Sequence, residues 1–319
     1  MAAKRFIVVR DGAPDDGLRG AVVAIGNFDG VHRGHRAVIA VAQKRAAALA
    51  KPAAVLTFEP HPRSFFHPNE PLFRLTDEAA KVRLLAATGL DGVIILTFDA
   101  ALAKVTAEDF VTRILLERFG ISGAVIGFNF HFGKNRAGSP EFLVAQGKKY
   151  GFAVDVVPPF AEDGRPISSG PIRDALAAGR PDLAEKLLSF PWFVSAQVMH
   201  GDKRGRELGF PTANMRLDAA CALRHGIYAV CARVNGRSYD GVASFGRRPM
   251  FDKGSVLLEV FLFDFAGDIY GLDIDVAFIG FIRDEAVFPS VDDLKRQMQE
   301  DSRRAREILA REPHAFPPI

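Results

Sequence analysis

The chain has 319 residues, 48% of them hydrophobic and 25% charged, a composition that suits a globular protein long enough for two domains with a sizeable core. Its formal charge is only +3, which argues against a general nucleic-acid or membrane-surface protein and leaves small anionic ligands as the better-matched partners. Cys221 and Cys231 make neither a C-x-x-C nor a zinc spacing, so a reducing compartment is expected and a disulfide framework is not.

The amino terminus holds an apolar run of four residues before charge returns, too short for the apolar region of a signal peptide, and no stretch approaches the roughly 20 apolar residues of a membrane span. A cytoplasmic protein is expected. The first half then alternates short β-like runs (Val22–Ile25, Ala53–Phe58, Gly92–Phe98, Gly123–Gly127, Ala153–Val157) with helical patterns over Ala37–Ala50, Glu78–Ala87, Ala107–Phe119 and Pro140–Tyr150. That order predicts an α/β domain with a mostly parallel sheet and helices on both faces. Its ligands should sit beyond the carboxyl ends of the strands.

One such end reads GNFDGVHRGHR over Gly26–Arg36, directly after the apolar run to Ile25. Gly26 and Gly30 allow a tight turn and close approach of backbone to a phosphate, and from Val31 the spacing is helical, with Val31, His35, Val38 and Ala42 on one side. His32 and His35 share the first turn, where free N–H groups and the positive helix end favour an anion. Gly34, between the histidines, costs a helix roughly 1 kcal/mol relative to alanine, so its position implies something close to the backbone. Two further strand ends carry Glu59-Pro60-His61-Pro62-Arg63, read equally as a stiffened loop or a ligand contact, and Phe128–Phe132, whose alternating phenylalanines read as β-like core.

Helical segments at Pro171–Ala178 and Leu183–Leu188 lead into Ser189-Phe190-Pro191-Trp192, where the pattern changes and a boundary is expected, giving domains 1–188 and 189–319. Beyond it, Tyr228–Val234, Leu257–Phe263 and Ile274–Ile279 are β-like, Asn235-Gly236 signals a hairpin, and several strands without intervening helices predict an all-β barrel or sandwich. Ser290–Asp293 is a capping-box-like start to a terminal helix ending near Arg311.

Taken together, GNFDGVHRGHR, FEPHPR (Phe58–Arg63), GFNFHFG (Gly127–Gly133) and ISSGPIR (Ile167–Arg173) in one half resemble the FMN adenylyltransferase module of the bacterial bifunctional riboflavin kinase/FAD synthetase family. In the other half, GDKRGRELGFPTAN (Gly201–Asn214), GIYAV (Gly226–Val230), GVASFGRRPMF (Gly241–Phe251) and Glu259 resemble its riboflavin kinase module. The resemblance implies a Rossmann-like nucleotidyltransferase domain followed by a riboflavin-kinase-like β-barrel with a carboxyl-terminal helix. It implies riboflavin, FMN, FAD and ATP as partners, Mg²⁺ as cofactor, and neither nucleic acid nor membrane. It carries no oligomeric state.

In the first module the resemblance makes His32 and His35 catalytic, with Gly26, Asn27, Phe28, Asp29, Gly30, Gly34, Asn129, Ser168, Ser169 and Arg173 around the nucleotide. The nucleophile would be the FMN phosphate, already anionic, so the site needs positioning and cancellation of charge rather than a strong base. In the second module it places Gly201, Lys203, Arg206, Gly209 and Pro211 at the nucleotide, Thr212 and Asn214 at Mg²⁺, and Glu259 as general base for the ribityl hydroxyl. Strict alternation sets Glu259 with Leu257, Phe261 and Phe263 on an apolar face, where desolvation would favour the proton. Gly170 and Met250 stand where the family usually has threonine. Those two departures sustain the alternative of a flavin-binding or regulatory protein with one or both sites inactive.

Overall fold

The computed structural model describes residues 5–12, 17–162, 164–201, 209–247, 256–311 and 316. Its contacts divide the chain into two units: one takes the chain to Leu72 and again over Thr76–Ser168, the other takes Phe73–Leu75 and the chain from Ser169.

The first unit contains β1 (Ile7–Arg10), β2 (Val22–Ile25), α1 (Arg33–Leu49), β3 (Ala53–Glu59), α2 (Pro62–Phe66), α3 (Glu78–Ala86), β4 (Gly92–Thr97), α4 (Ala107–Asp109), β5 (Gly123–Gly127), α5 (Pro140–Tyr150) and β6 (Ala153–Val157), with a small hairpin of β7 (Ala161–Glu162) and β8 (Arg165–Pro166). α4 continues as a π-helical stretch over Phe110–Arg118. Six strands form one parallel sheet in the order β1-β4-β3-β2-β5-β6. Every residue of β2 and β3 is buried, which is why β2 is an unbroken apolar run and β3 departs from one only at Thr57 and Glu59. Chain order reverses at β2, flanked by β3 on one side and β5 on the other, and a crevice opens at such a switch point. Ile25 pairs with Ile126, so the loops leaving β2 and β5 emerge side by side.

The second unit begins with α6 (Ser169–Ala177) and α7 (Pro181–Leu188), the latter packed on β14. Six strands, β9 (Phe193–Gln197), β10 (Ala213–Leu217), β11 (Gly226–Val234), β12 (Arg237–Arg247), β13 (Val256–Leu262) and β14 (Asp273–Arg283), pair antiparallel in the order β10-β13-β12-β11-β14-β9. A bridge from Met199, just past β9, to Asn214 in β10 nearly closes the sheet into a barrel. α8 (Val291–Leu309) covers β11, β12 and β14, and Ser290 caps it by accepting the Asp293 N–H at 3.1 Å.

Two local expectations are corrected and one strand is added. The helix expected from Val31 starts at Arg33, because Val31 has a φ of 42°, outside the helical range. Phe128–Phe132 is not a continuous β segment: it turns at Phe128 and Asn129 and regains β pairing only at Phe132, which bridges Gly138. Phe132 is buried in the sheet's core cluster and Phe130 packs against it, as expected, while Phe128 is exposed. Arg237–Arg247, which carries little local β signal, is a strand because β11 and β13 pair with it on both sides.

Candidate active sites

The loop leaving β2 turns on residues that are not all glycine. Phe28 has a φ of 51° and Val31 of 42°, conformations that each cost about 1–3 kcal/mol, alongside Gly30 at 83°. Phe28 and Val31 hold that geometry by full burial, at 1% and 0% exposure. The Asp29 carboxylate, also buried, accepts the Thr76 N–H at 3.1 Å, and the Thr76 hydroxyl accepts the Gly30 N–H at 3.1 Å. Asp29 therefore shapes the loop through Thr76.

His32 is the N-cap of α1, its Nδ1 accepting the His35 N–H at 3.2 Å, which places its own proton on Nε2. The two imidazoles stack with centroids 3.6 Å apart and planes inclined by 17°. Burial, then the neighbouring His32 and Lys81, push the His35 pKa well below its ordinary value of 6.5. The pair thus offers neutral N–H donors at the helix start. His35 Nδ1 is buried with no hydrogen-bond partner, an orphan that a nucleotide in the crevice would suit.

Gly34 is explained by the chain itself. A Cβ there would lie 2.9 Å from the Ile167 carbonyl and 3.1 Å from the His32 ring, so only glycine lets the segment before Ser168 lie against the helix start. Arg33 fastens the same region by donating to Glu162 at 2.6 Å and lying over the Phe160 ring. Asn129 is exposed in the turn after β5, beside the β2 loop. Ser168 is exposed in the first unit, whereas Ser169 and Arg173 fall in the second, where the Arg173 Nε donates to the Phe73 carbonyl at 2.6 Å. A Cβ at Gly170 would meet nothing within 4 Å.

Beneath the β2 loop lies a group that motif reading overlooks. Lys81 Nζ sits 2.5 Å from the Glu59 carboxylate, both side chains buried, and 3.4 Å from both the Asn27 carbonyl and the Thr57 hydroxyl. The signal was present in α3: Lys81 stands on the same stripe as the buried Leu84 and Leu85. Nearby, His61 caps α2 by accepting the Arg63 N–H at 3.1 Å, which gives the PHPR segment a structural job.

In the second unit Gly201, Pro211, Thr212 and Asn214 line a cavity of about 510 Å³ together with His200 and Tyr270. The last two, with rings 4.0 Å apart, were not read from the sequence because neither lies in a recognised motif. Asn214 is buried, and its Nδ2 donates to the Thr212 carbonyl at 3.2 Å, which orients the amide oxygen as an acceptor. A Cβ at Gly201 would lie 2.5 Å from that Nδ2, so glycine is required for Asn214 to sit there. Gly209 has a φ of 87°. Lys203, Arg206 and Met250 lie outside the described residues.

Glu259 is brought to this region by strand register. It pairs with Asn214 across β10–β13 and with Ser244 across β12–β13, so the three side chains form a row on one face of the sheet. As the alternation sets it, Glu259 shares its face with Leu257 and Phe261 and stands half-buried there, while Val256, Leu258, Val260 and Leu262 on the other face are buried; Phe263, expected with it, is buried just past the strand's end. It is not among the residues lining the cavity. Arg283 serves structure, its guanidinium gripping Asp301 of α8 at 2.6 and 2.9 Å.

Among the described residues no group of three or more His, Cys, Asp or Glu side chains could cage a metal. The Thr212 hydroxyl and Asn214 amide oxygen are hard donors that fit a magnesium ion sharing its coordination with phosphates and water. No helix among the described residues is long and apolar enough to cross a membrane.

Two family models match the chain in turn: FAD synthetase over residues 15–171 and riboflavin kinase over residues 188–309. The chain is 41% identical over 297 residues to a bifunctional riboflavin kinase/FMN adenylyltransferase of Pseudomonas fluorescens, covering 93% of this chain and 95% of that one. It is 40% identical over 291 residues to the enzyme of that name from Escherichia coli K12, covering 91% and 93%. A Bacillus subtilis relative of the same name is 35% identical over 292 residues, covering 89% and 91%. A solved Streptococcus pneumoniae structure, described as a macrolide-efflux protein, superposes with a TM-score of 0.83 at 32% identity over 94% of this chain and 99% of that one. The chain belongs to the bifunctional riboflavin kinase/FMN adenylyltransferase family.

Proposed function

We propose that this family member works in the cytoplasm on riboflavin, FMN and ATP through two functional modules, 1–188 and 189–319. In the first step ATP and riboflavin give ADP and FMN; in the second, FMN and ATP give FAD and pyrophosphate.

For adenylyl transfer, the FMN phosphate attacks the α-phosphorus of ATP and pyrophosphate leaves. No proton must be removed from this nucleophile. His32 Nε2–H and the His35 ring donate to charge on the transferring and leaving phosphates, with the Gly26–Gly30 loop, Gly34, Asn129 and Ser168 positioning the nucleotide. The observation that carries this reading is the stacked histidine pair at the start of α1, at the switch point of the parallel sheet.

For phosphoryl transfer, Glu259 takes the proton of the ribityl hydroxyl as its oxygen attacks the γ-phosphorus of ATP. Thr212 and Asn214 would hold Mg²⁺, which when bound offsets charge on the phosphates. Gly201, Lys203, Arg206, Gly209 and Pro211 belong to the nucleotide side of this site.

Incubation of the full chain with riboflavin, ATP and Mg²⁺, with the flavins resolved over time, tests the assignment. FMN should rise first and FAD follow. FMN alone would mean a silent first module, and riboflavin bound but unchanged would support the binding or regulatory alternative.

A further inference from the structure

The Glu59–Lys81 pair is a buried charge that no step above uses. Replacing a buried ion pair with well-packed apolar side chains is often neutral or stabilising, so stability alone does not explain its presence. Its position suggests another role. Lys81 Nζ and the Thr57 hydroxyl both point at the Asn27 carbonyl, at 3.4 and 3.1 Å, from α3 and β3. The Asn27–Phe28 peptide is trans, so its carbonyl and its N–H point to opposite sides. With the carbonyl held toward the buried ammonium, the Phe28 N–H is turned the other way.

We infer that Lys81, neutralised by Glu59, is a positioning residue of the adenylyl-transfer site: it locks the Asn27–Phe28 peptide so that the Phe28 amide presents its N–H to a nucleotide phosphate. The inference rests on the assignment of that site to the β2 loop. A flipped peptide would present a carbonyl oxygen to the same phosphate and repel it. Phe28, at a φ of 51°, is one of the strained residues of this loop, so a restraint on its peptide helps to hold the loop's geometry. Glu59 supplies the counter-charge that lets an ammonium remain ionised inside the protein.

The test replaces both charges together, Lys81→Met with Glu59→Leu, because removing one alone strands the other. The doubly substituted chain should keep a thermal midpoint close to the parent's and make FMN at the parent rate. Its kcat for FAD formation from supplied FMN should fall at least about tenfold with little change in KM for FMN, the pattern of a lost transition-state donor. His32→Ala is run beside it. A folded double variant with full FAD synthesis, while His32→Ala has lost it, overturns the role of Lys81 and leaves the site intact. Full FAD synthesis in both overturns the site itself. Should the double variant not fold, Thr57→Val decides: kcat for FAD formation lowered about threefold supports the lock, and an unchanged kcat overturns it.

Discussion

The parallel-sheet unit and the barrel unit build their candidate sites from different materials. In the first, the proposed parts are backbone and imidazole rings: a loop with positive φ at Phe28, Gly30 and Val31, and two stacked imidazoles, one of which burial keeps uncharged. In the second they are side chains on extended strands, with Asn214, Glu259 and Ser244 aligned across three neighbours and the carboxylate half-buried on the face away from the core. Under the proposed function the contrast follows the nucleophiles. A phosphate arrives ionised and needs only fixed donors, which rigid backbone supplies, whereas an alcohol must lose a proton to a carboxylate.

The largest effect that could break this contrast is at the base. Glu259→Gln should lower FMN formation from riboflavin by about 10²–10⁴-fold while supplied FMN is still converted to FAD. Flavins separated after single-substrate incubations will show it, and retained FMN formation would remove the general-base role. Next in size, His32→Ala should lower FAD formation by about 10²–10³-fold and spare FMN formation. The reverse pattern in the two variants would exchange the sites.

A smaller effect tests whether the imidazoles are neutral. His35 in the folded protein resists protonation, while in the unfolded chain it titrates near 6.5. Above that pH neither state carries the extra proton. Below it only the unfolded state gains one, so stability is lost as pH falls, by up to about 1.4 kcal/mol per pH unit. Thermal melts between about pH 7.5 and 5.5 should therefore fall more steeply for the parent than for His35→Gln; parallel slopes would argue for a charged ring. Smallest of all, Gly170→Thr should change stability by no more than about 0.5 kcal/mol, since a Cβ there meets open space. Any gain in FAD synthesis in that variant would mark the hydroxyl as a missing phosphate contact.

How much was legible in the sequence differed between the units for a physical reason. Strands buried on both faces, β2 and β3, read as apolar runs, and the N-cap chemistry of His32 sat in its own motif. The barrel's β12 was obscured because its RSYDGVASFGR sequence becomes a strand through long-range pairing with β11 and β13. The side of the sheet taken by Glu259 was equally hidden: alternation groups residues by face but does not say which face meets the core. Gly34 reads in the sequence as a place of close approach, but what approaches is the carbonyl of Ile167, far along the chain, a neighbour that no local pattern names. Lys81 is hidden from motif reading because a lysine in an amphipathic helix ordinarily reads as solvated.

The claim that two separable sites serve two kinds of nucleophile is tested most directly by mixing. Glu259→Gln and His32→Ala chains, each unable to make FAD from riboflavin alone, are combined with riboflavin, ATP and Mg²⁺. FMN made by the His32→Ala chain should be adenylylated by the Glu259→Gln chain, so that FAD accumulates after a lag. FMN accumulating with no FAD, although the Glu259→Gln chain converts supplied FMN, would contradict it.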